Sequence, residues 1–174
     1  MTRTEGAGNR ILGALRSHDG TGVVTVQDRF DTDIDDLWSA ITDPARLARW
    51  LGEVDGDLRL GGDFRAHFSL ASGWEGTGRV EACEPPRRLL VRTADKRKTG
   101  EQFIEATLTA DGDHTIFVWE ERGMPVELLA AYGAGIQAQV EDLGAYIAGR
   151  KGNDFGTRWS ELHPAYEELA AAVE

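Results

Sequence analysis

Residues 125–148 read PVELLAAYGAGIQAQVEDLGAYIA, and this stretch decides the fold. Leu129, Tyr132, Ile136, Val140, Leu143 and Ile147 recur at three- and four-residue steps, which puts them on one side of a long α-helix. Pro125 introduces the helix, and Gly149 and Gly152 bracket its end. Gly133, Gly135 and Gly144 each cost roughly 1 kcal/mol against alanine in a helix interior. Such a helix is expected only where the stripe is buried against a sheet and the glycines permit close approach.

Upstream, from Val54 to Glu121, the period changes from helical to alternating. Phe64, Ala66, Phe68 and Leu70 share one face of a strand, with Asp63, Arg65, His67 and Ser69 on the other. Ala71-Ser72-Gly73 reads as a turn. Trp74 to Cys83 is the next strand, in which Gly76 and Gly78 predict a bulge or strong curvature. Glu84-Pro85-Pro86 ends it. Arg87 to Thr93, Gln102 to Ala110 and His114 to Glu121 complete an antiparallel meander, the last two strands joined by Asp111-Gly112-Asp113, a hairpin signal.

Before the meander, Val23 to Phe30 is rich in β-branched residues and reads as the first strand. Asp31-Thr32-Asp33 offers N-cap side chains for a helix carrying Leu37, Trp38 and Ile41. That helix stops near Pro44, which opens a second short helix with Leu47, Trp50 and Leu51 on one side. At the N-terminus, Ile11, Leu12 and Leu15 have helical spacing and predict a short helix over Asn9 to Ser17, broken by His18 to Gly22. At the C-terminus, Leu162, Tyr166, Leu169 and Val173 predict a short helix starting near Pro164, with Phe155 and Trp159 as apolar anchors. These last residues are too apolar for a free tail, and are expected to pack on their own domain or on a second copy in a homodimer. The fold class is α+β. The chain divides into an N-terminal extension with a short helix (1–22), a main domain (23–150) and a C-terminal helical appendix (151–174).

Composition removes several function classes. The 174 residues are 41% hydrophobic and 28% charged, as in a globular protein. The formal charge of −11 and the lack of a basic stripe argue against nucleic acid as a partner. The most basic stretch, Lys96-Arg97-Lys98, reads as a solvated hairpin turn. A single cysteine, Cys83, allows no internal disulfide and no cysteine-based zinc cage. No apolar run approaches the ~20 residues that span a bilayer, and Met1 to Gly8 lacks the apolar core of a secretory signal, so the expected location is cytoplasmic. His18, His67, His114 and His163 are scattered, which predicts no metal site. Gly20-Thr21-Gly22, Gly76-Thr77-Gly78 and Gly133-Ala134-Gly135 all lack the strand–turn–helix order of a nucleotide site, so no cofactor is expected.

Several residues resemble a known family. Trp38, Thr42-Asp43-Pro44, Leu47 and Trp50 resemble the opening motif of the START-like (SRPBCC) superfamily. More narrowly, the chain resembles the branch named after the C-terminal domain of the activator of heat-shock-protein-90 ATPase. Gly61-Gly62 with Phe64, the run Glu84-Pro85-Pro86-Arg87-Arg88-Leu89 and the segment Gly112 to Thr115 match features of that branch. So do Gly135-Ile136, Val140, Leu143 and Tyr146-Ile147 in the last helix. The resemblance covers Val23 to Ala148. It implies a helix-grip (START/Bet v 1-like) fold, with a curved antiparallel sheet around the long helix, two short helices after the first strand, and a cavity between. One departure is Ile136, which stands where relatives carry tryptophan.

The candidate ligand-binding residues are Trp38, Phe64, Phe68, Trp74, Phe117, Trp119, Glu121, Tyr132, Ile136 and Val140. Thr115, Phe117, Trp119 and Glu121 share a strand face. Glu121 is expected at a strand end, in water or beside an arginine; buried instead, it would have a raised pKa and act as a general acid or base. Arg88 and Arg92 are expected to meet outward carboxylates on neighbouring strands. The leading expectation is a protein that binds an apolar or aromatic small molecule, with no catalytic residue assigned. The alternatives that the resemblance implies are a polyketide cyclase- or aromatase-like enzyme and a co-chaperone-like interaction domain. Replacing an indole by isoleucine at 136 predicts a void beside it, unless the C-terminal segment or a neighbouring aromatic fills the space.

Overall fold

The computed structural model describes residues 10–95 and 101–174. In chain order the elements are β1 (Gly13–His18), β2 (Thr21–Phe30), α1 (Ile34–Thr42), α2 (Pro44–Trp50), β3 (Glu53–Gly56) and β4 (Asp63–His67). Then follow β5 (Glu75–Glu84), β6 (Arg88–Asp95), β7 (Gln102–Asp111), β8 (His114–Met124), a 3-10 turn (Val126–Leu128), α3 (Leu129–Ile147) and α4 (Phe155–Ala171). Among the described residues the strands form one antiparallel sheet in the order β1-β2-β8-β7-β6-β5-β4-β3. The sheet curves around α3, which is the expected helix-grip arrangement.

Local chemistry sets the boundaries of the first two helices. The Asp33 side chain accepts the Asp36 amide at 2.8 Å and caps α1. Asp43 ends α1 by donating its N–H to the Ser39 carbonyl, and its side chain accepts the Ala45 amide at 3.0 Å to start α2, with Pro44 at the first helical position. Leu37, Ile41, Leu47 and Trp50 thereby point into the core. Of the stripe on α3, Leu129, Ile136, Val140 and Leu143 are buried against the sheet, while Tyr132 and Ile147 are half-buried.

A second face of α3 is made of small residues and is covered by α4. A Cβ at Gly133 would overlap the Tyr166 ring, so this glycine lets the two helices approach closely. Leu162 and Tyr166 are buried there with Ala134 and Ala138. Gln137, wholly buried, joins three segments: its Oε1 accepts the Leu12 amide and the Tyr166 hydroxyl, and its Nε2 donates to the Arg10 carbonyl at 2.7 Å. Arg158 on α4 grips Glu141 of α3 with two nitrogens, at 2.6 and 2.8 Å.

The structure corrects several expectations. The segment expected as an N-terminal helix is strand β1, paired with β2 through a hairpin whose Asp19 and Gly20 both have positive φ, 52° and 81°. Asp-Gly in that conformation is the type I′ turn that joins neighbouring strands. The period was ambiguous: Leu15 and Ser17 alternate with exposed Ala14, Arg16 and His18. The C-terminal helix begins at Phe155, capped by Asp154, and Pro164 lies inside it rather than at its start. Strand β4 ends at His67, so Leu70 is exposed in the following turn. The irregularity in β5 falls between Val80 and Ala82, not at its glycines. Gly78 instead makes room for the Phe64 ring, which a Cβ would overlap. The expected turn at Lys96-Arg97-Lys98 lies outside the described residues. No described helix is long and apolar enough to cross a membrane.

Candidate functional site

Alternation along β8 builds the floor of the site. Thr115, Phe117, Trp119 and Glu121 face α3, with Ile116, Val118 and Glu120 on the opposite side. Trp119 meets Trp50 of α2 edge-on at 6.3 Å between ring centroids and meets Phe117 in the same manner. Trp50 is held by its indole N–H donating to the Ala40 carbonyl at 3.0 Å. Between these rings and the strands β4 to β7 lies an inner cavity of about 90 Å³. Phe64, Phe68, Trp74, Phe117 and Trp119 line it, with Trp50, Leu47, Leu51, Val91, Ile104 and other aliphatic side chains. Among the described residues Thr93 is its one hydroxyl-bearing lining side chain, and the hydroxyl is turned to the Gln102 carbonyl at 3.4 Å.

Phe68, Trp74, Thr93 and Ile104 are shared with a second, larger space, so the two adjoin across these residues. This outer cleft, about 660 Å³, lies between the sheet, α3 and the start of α4. Glu121, Gln102 and Glu75 line it from the sheet, Tyr132, Gly135, Ile136 and Gln139 from α3, and Phe155 and Trp159 from α4. The inner cavity alone is smaller than the ~150 Å³ apolar void that admits benzene. A drug-sized guest therefore needs the cleft for its body and the inner cavity for one apolar group.

Glu121 is the buried carboxylate in this setting. Strand β8 continues to Met124, so Glu121 sits inside the strand rather than at its end, 9% exposed. Its cross-strand neighbours are Val24 and Ile104. No described arginine is bonded to it: the Trp119 indole donates to Oε1 at 3.1 Å, which corrects the expectation of a solvated or arginine-paired carboxylate. Burial pushes its pKa up to about 7, and the indole hydrogen bond offsets only part of that. Both protonation states are therefore accessible near neutral pH. The Tyr132 hydroxyl lies 3.3 Å from Gln102 Oε1 at the mouth.

Of the residues expected at the site, Phe64, Phe117 and Trp119 line the inner cavity, Phe68 and Trp74 line both spaces, and Glu121, Tyr132 and Ile136 line the cleft. Trp38 and Val140 line neither. The buried face of α1 is carried by Leu37, Ala40 and Ile41, which leaves Trp38 half-buried to one side. Val140 is wholly buried in the packed part of the core. The space beside Ile136 exists, with Phe155 and Trp159 of α4 forming its far wall. Trp50, Gln102 and Gln139 were missed as lining residues. Trp50 was legible as an apolar helix residue, whereas nothing in the local pattern marks the two glutamines. Among the described residues no group of three or more His, Cys, Asp or Glu is placed to hold a metal ion.

Comparison with known proteins agrees with this architecture. The crystal structure of CalU16 from Micromonospora echinospora superposes with a TM-score of 0.74 at 28% identity, over 92% of this chain and 96% of that one. DynU16, a protein of the dynemicin biosynthetic locus, gives a TM-score of 0.66 at 27% identity over 76% of this chain and 50% of that one. EF2215 from Enterococcus faecalis, a conserved protein of unknown function, shares the fold at 17% identity, with a TM-score of 0.74 over 93% and 92% of the two chains. No curated protein matches the chain. With residues 31–148 matching the family model, the chain belongs to the activator of Hsp90 ATPase homolog 1-like family, within the START-like (SRPBCC) superfamily.

Proposed function

We propose that the protein binds an apolar or aromatic small molecule in the joined cavity and cleft between the sheet and α3. One observation carries this reading: an aromatic-lined inner cavity adjoins, across Phe68, Trp74, Thr93 and Ile104, a cleft large enough for a drug-sized body. Concave, mostly apolar sites with a few polar groups are the usual form of small-molecule pockets. The setting of DynU16 in a biosynthetic locus fits a ligand of this kind. A co-chaperone-like role has no need of such a space.

Titration with the neutral dye N-phenyl-1-naphthylamine tests the reading. The folded protein should give a saturable fluorescence rise at one dye per chain. Ile136→Trp should weaken it by narrowing the middle of the cleft. Gly135→Leu should do the same, because a Cβ there stands at ordinary contact distance, 3.7 Å from Phe155 and 3.8 Å from Trp159, and the rest of the side chain enters the space between. Unsaturable dye uptake by the parent, or equal uptake by both variants, overturns the proposal.

A second reading, a cyclase- or aromatase-like enzyme, is favoured by the placement of Glu121 alone, an inward carboxyl group that exchanges a proton near neutral pH. It requires turnover of a polyketone by the parent protein and loss of that turnover in Glu121→Gln.

A further inference from the structure

The described lining of the cleft is electrically one-sided. It includes two carboxylates, Glu121 and Glu75, and no lysine, arginine or histidine. Five aromatic side chains, Phe68, Trp74, Tyr132, Phe155 and Trp159, stand around the same space. Oε1 of Glu121 is occupied by the Trp119 indole. Among the described residues none donates to Oε2, yet no described buried side-chain oxygen lacks a partner, so Oε2 opens onto the cleft. An oxygen so placed is a receptor for a donor that arrives with the guest.

We propose that the guest is an organic cation, a primary or secondary amine on an aromatic or aliphatic frame, whose ammonium is received by Glu121 among the aromatic walls. This rests on the ligand-binding reading above and names the chemistry of its ligand. A carboxylate in an apolar enclosure is stabilised most by an opposite charge that also donates a hydrogen bond. Ring faces add attraction for the same cation. A carboxylate ligand meets the reverse: two like charges at the site and a protein of net charge −11.

The reading carries a pH signature. Glu121 is flanked by Val24 and Ile104, and α3 brings Tyr132, Ile136 and Gln139 toward the cleft. Glu75 is the other carboxylate on the cleft wall. An ammonium pairs with the ionised form of Glu121, whose pKa in the free site burial has pushed up to about 7. Amine affinity is therefore full above that value and declines as pH falls through it, because a proton must leave before the pair forms. A neutral guest has no such dependence.

A matched pair of guests tests this: 1-naphthylmethylamine, a cation, and 1-naphthylmethanol, its neutral counterpart, each displacing N-phenyl-1-naphthylamine from the full chain. At pH 8 the amine should bind roughly tenfold or more tightly than the alcohol, and the ratio should shrink at pH 5.5. Glu121→Gln should erase the ratio at pH 8, with circular dichroism confirming the fold. Glu120→Gln, on the opposite sheet face, should preserve it. Equal displacement by the two guests overturns the inference while leaving ligand binding intact; no dye binding at all overturns the underlying reading instead. A preference that survives Glu121→Gln, or that vanishes with Glu120→Gln, also overturns it.

Discussion

On the outer face of β8, Glu120 takes hydrogen bonds from Thr25 and Arg122, at 3.2 and 2.9 Å. Glu105 on β7 is bonded there by Arg88 at 2.6 Å and by Arg122 at 3.1 Å. On the inner face, one residue further along, Glu121 has only an indole N–H among the described residues. Burial acts on Glu105 too, but its two arginines outweigh it and hold the carboxyl below the usual range. At Glu121 burial dominates. The same residue type is thus inexpensive on one face and costly on the other. A costly carboxylate held on a cavity wall is where a function is to be sought, since a fold alone has no use for it.

The comparison can be broken most forcefully on the helix that the inner face grips. Val140→Asp puts an unpaired carboxylate among wholly buried neighbours. It should lower stability by about 4 kcal/mol or leave the chain unfolded. Urea denaturation with an unchanged midpoint would show that the sheet does not grip α3 in this way.

Glu121→Gln should act in the opposite direction. A carboxyl whose folded pKa is raised, here to about 7 from an ordinary value of 4.5, contributes stability that is fully present below the unfolded pKa. That stability is lost as pH rises to the folded pKa. The loss amounts to about 3 kcal/mol, at 1.36 kcal/mol per pH unit. The glutamine variant should match the parent near pH 4.5 and exceed it at pH 8. Asp142 is also pushed up by burial, to about 6, and contributes the same slope to both proteins, so the difference between them isolates Glu121. Parallel stability curves for the two proteins from pH 4.5 to 8 would refute the account.

Gln137 sharpens the comparison, being a buried polar group whose donor and acceptor are both used. Gln137→Leu removes a partner from the Leu12 amide, the Arg10 carbonyl and the Tyr166 hydroxyl. Water can reach the first two more easily than the third, so a loss of about 2 kcal/mol is expected by thermal or chemical denaturation. A neutral substitution would mean that β1 and α4 dock on α3 by apolar contact alone.

Much of this arrangement was legible in the chain, and the exceptions have physical causes. The stripe Leu129-Ile136-Val140-Leu143 and the inner face Phe117-Trp119 stand out because a single period runs across many residues of one element. Strand β1 was misread because Ile11, Leu12 and Leu15 satisfy a helix locally, whereas the strand forms only by pairing with β2, a contact that local spacing does not carry. Pro164 reads as a helix start, yet the capping by Asp154 ten residues earlier had already started that helix. Alternation puts Glu121 at a strand end, because Gly123 breaks the pattern through which β8 in fact continues to Met124. Which aromatics border a void is decided by packing between elements, and so Trp50 lines the cavity while Trp38 does not.

The smallest effect is expected on the outer face, at Arg122. Its guanidinium bonds both Glu105 and Glu120 and lies 5.7 Å from the centroid of the Phe103 ring, three contacts that together look substantial. The side chain is nevertheless 31% exposed, and its carboxylate partners are 19% and 22% exposed. Water and salt screen such pairs, and holding a long side chain in one geometry costs rotamer entropy. Truncation also frees Glu105 to keep Arg88 and Glu120 to keep Thr25. Arg122→Ala should therefore lower stability by about 0.5–1 kcal/mol, and half a molar sodium chloride should reduce the difference further. A loss comparable with that of Val140→Asp, or one indifferent to salt, would mean that the outer ladder behaves as an interior, and the contrast between Glu120 and Glu121 would fail with it.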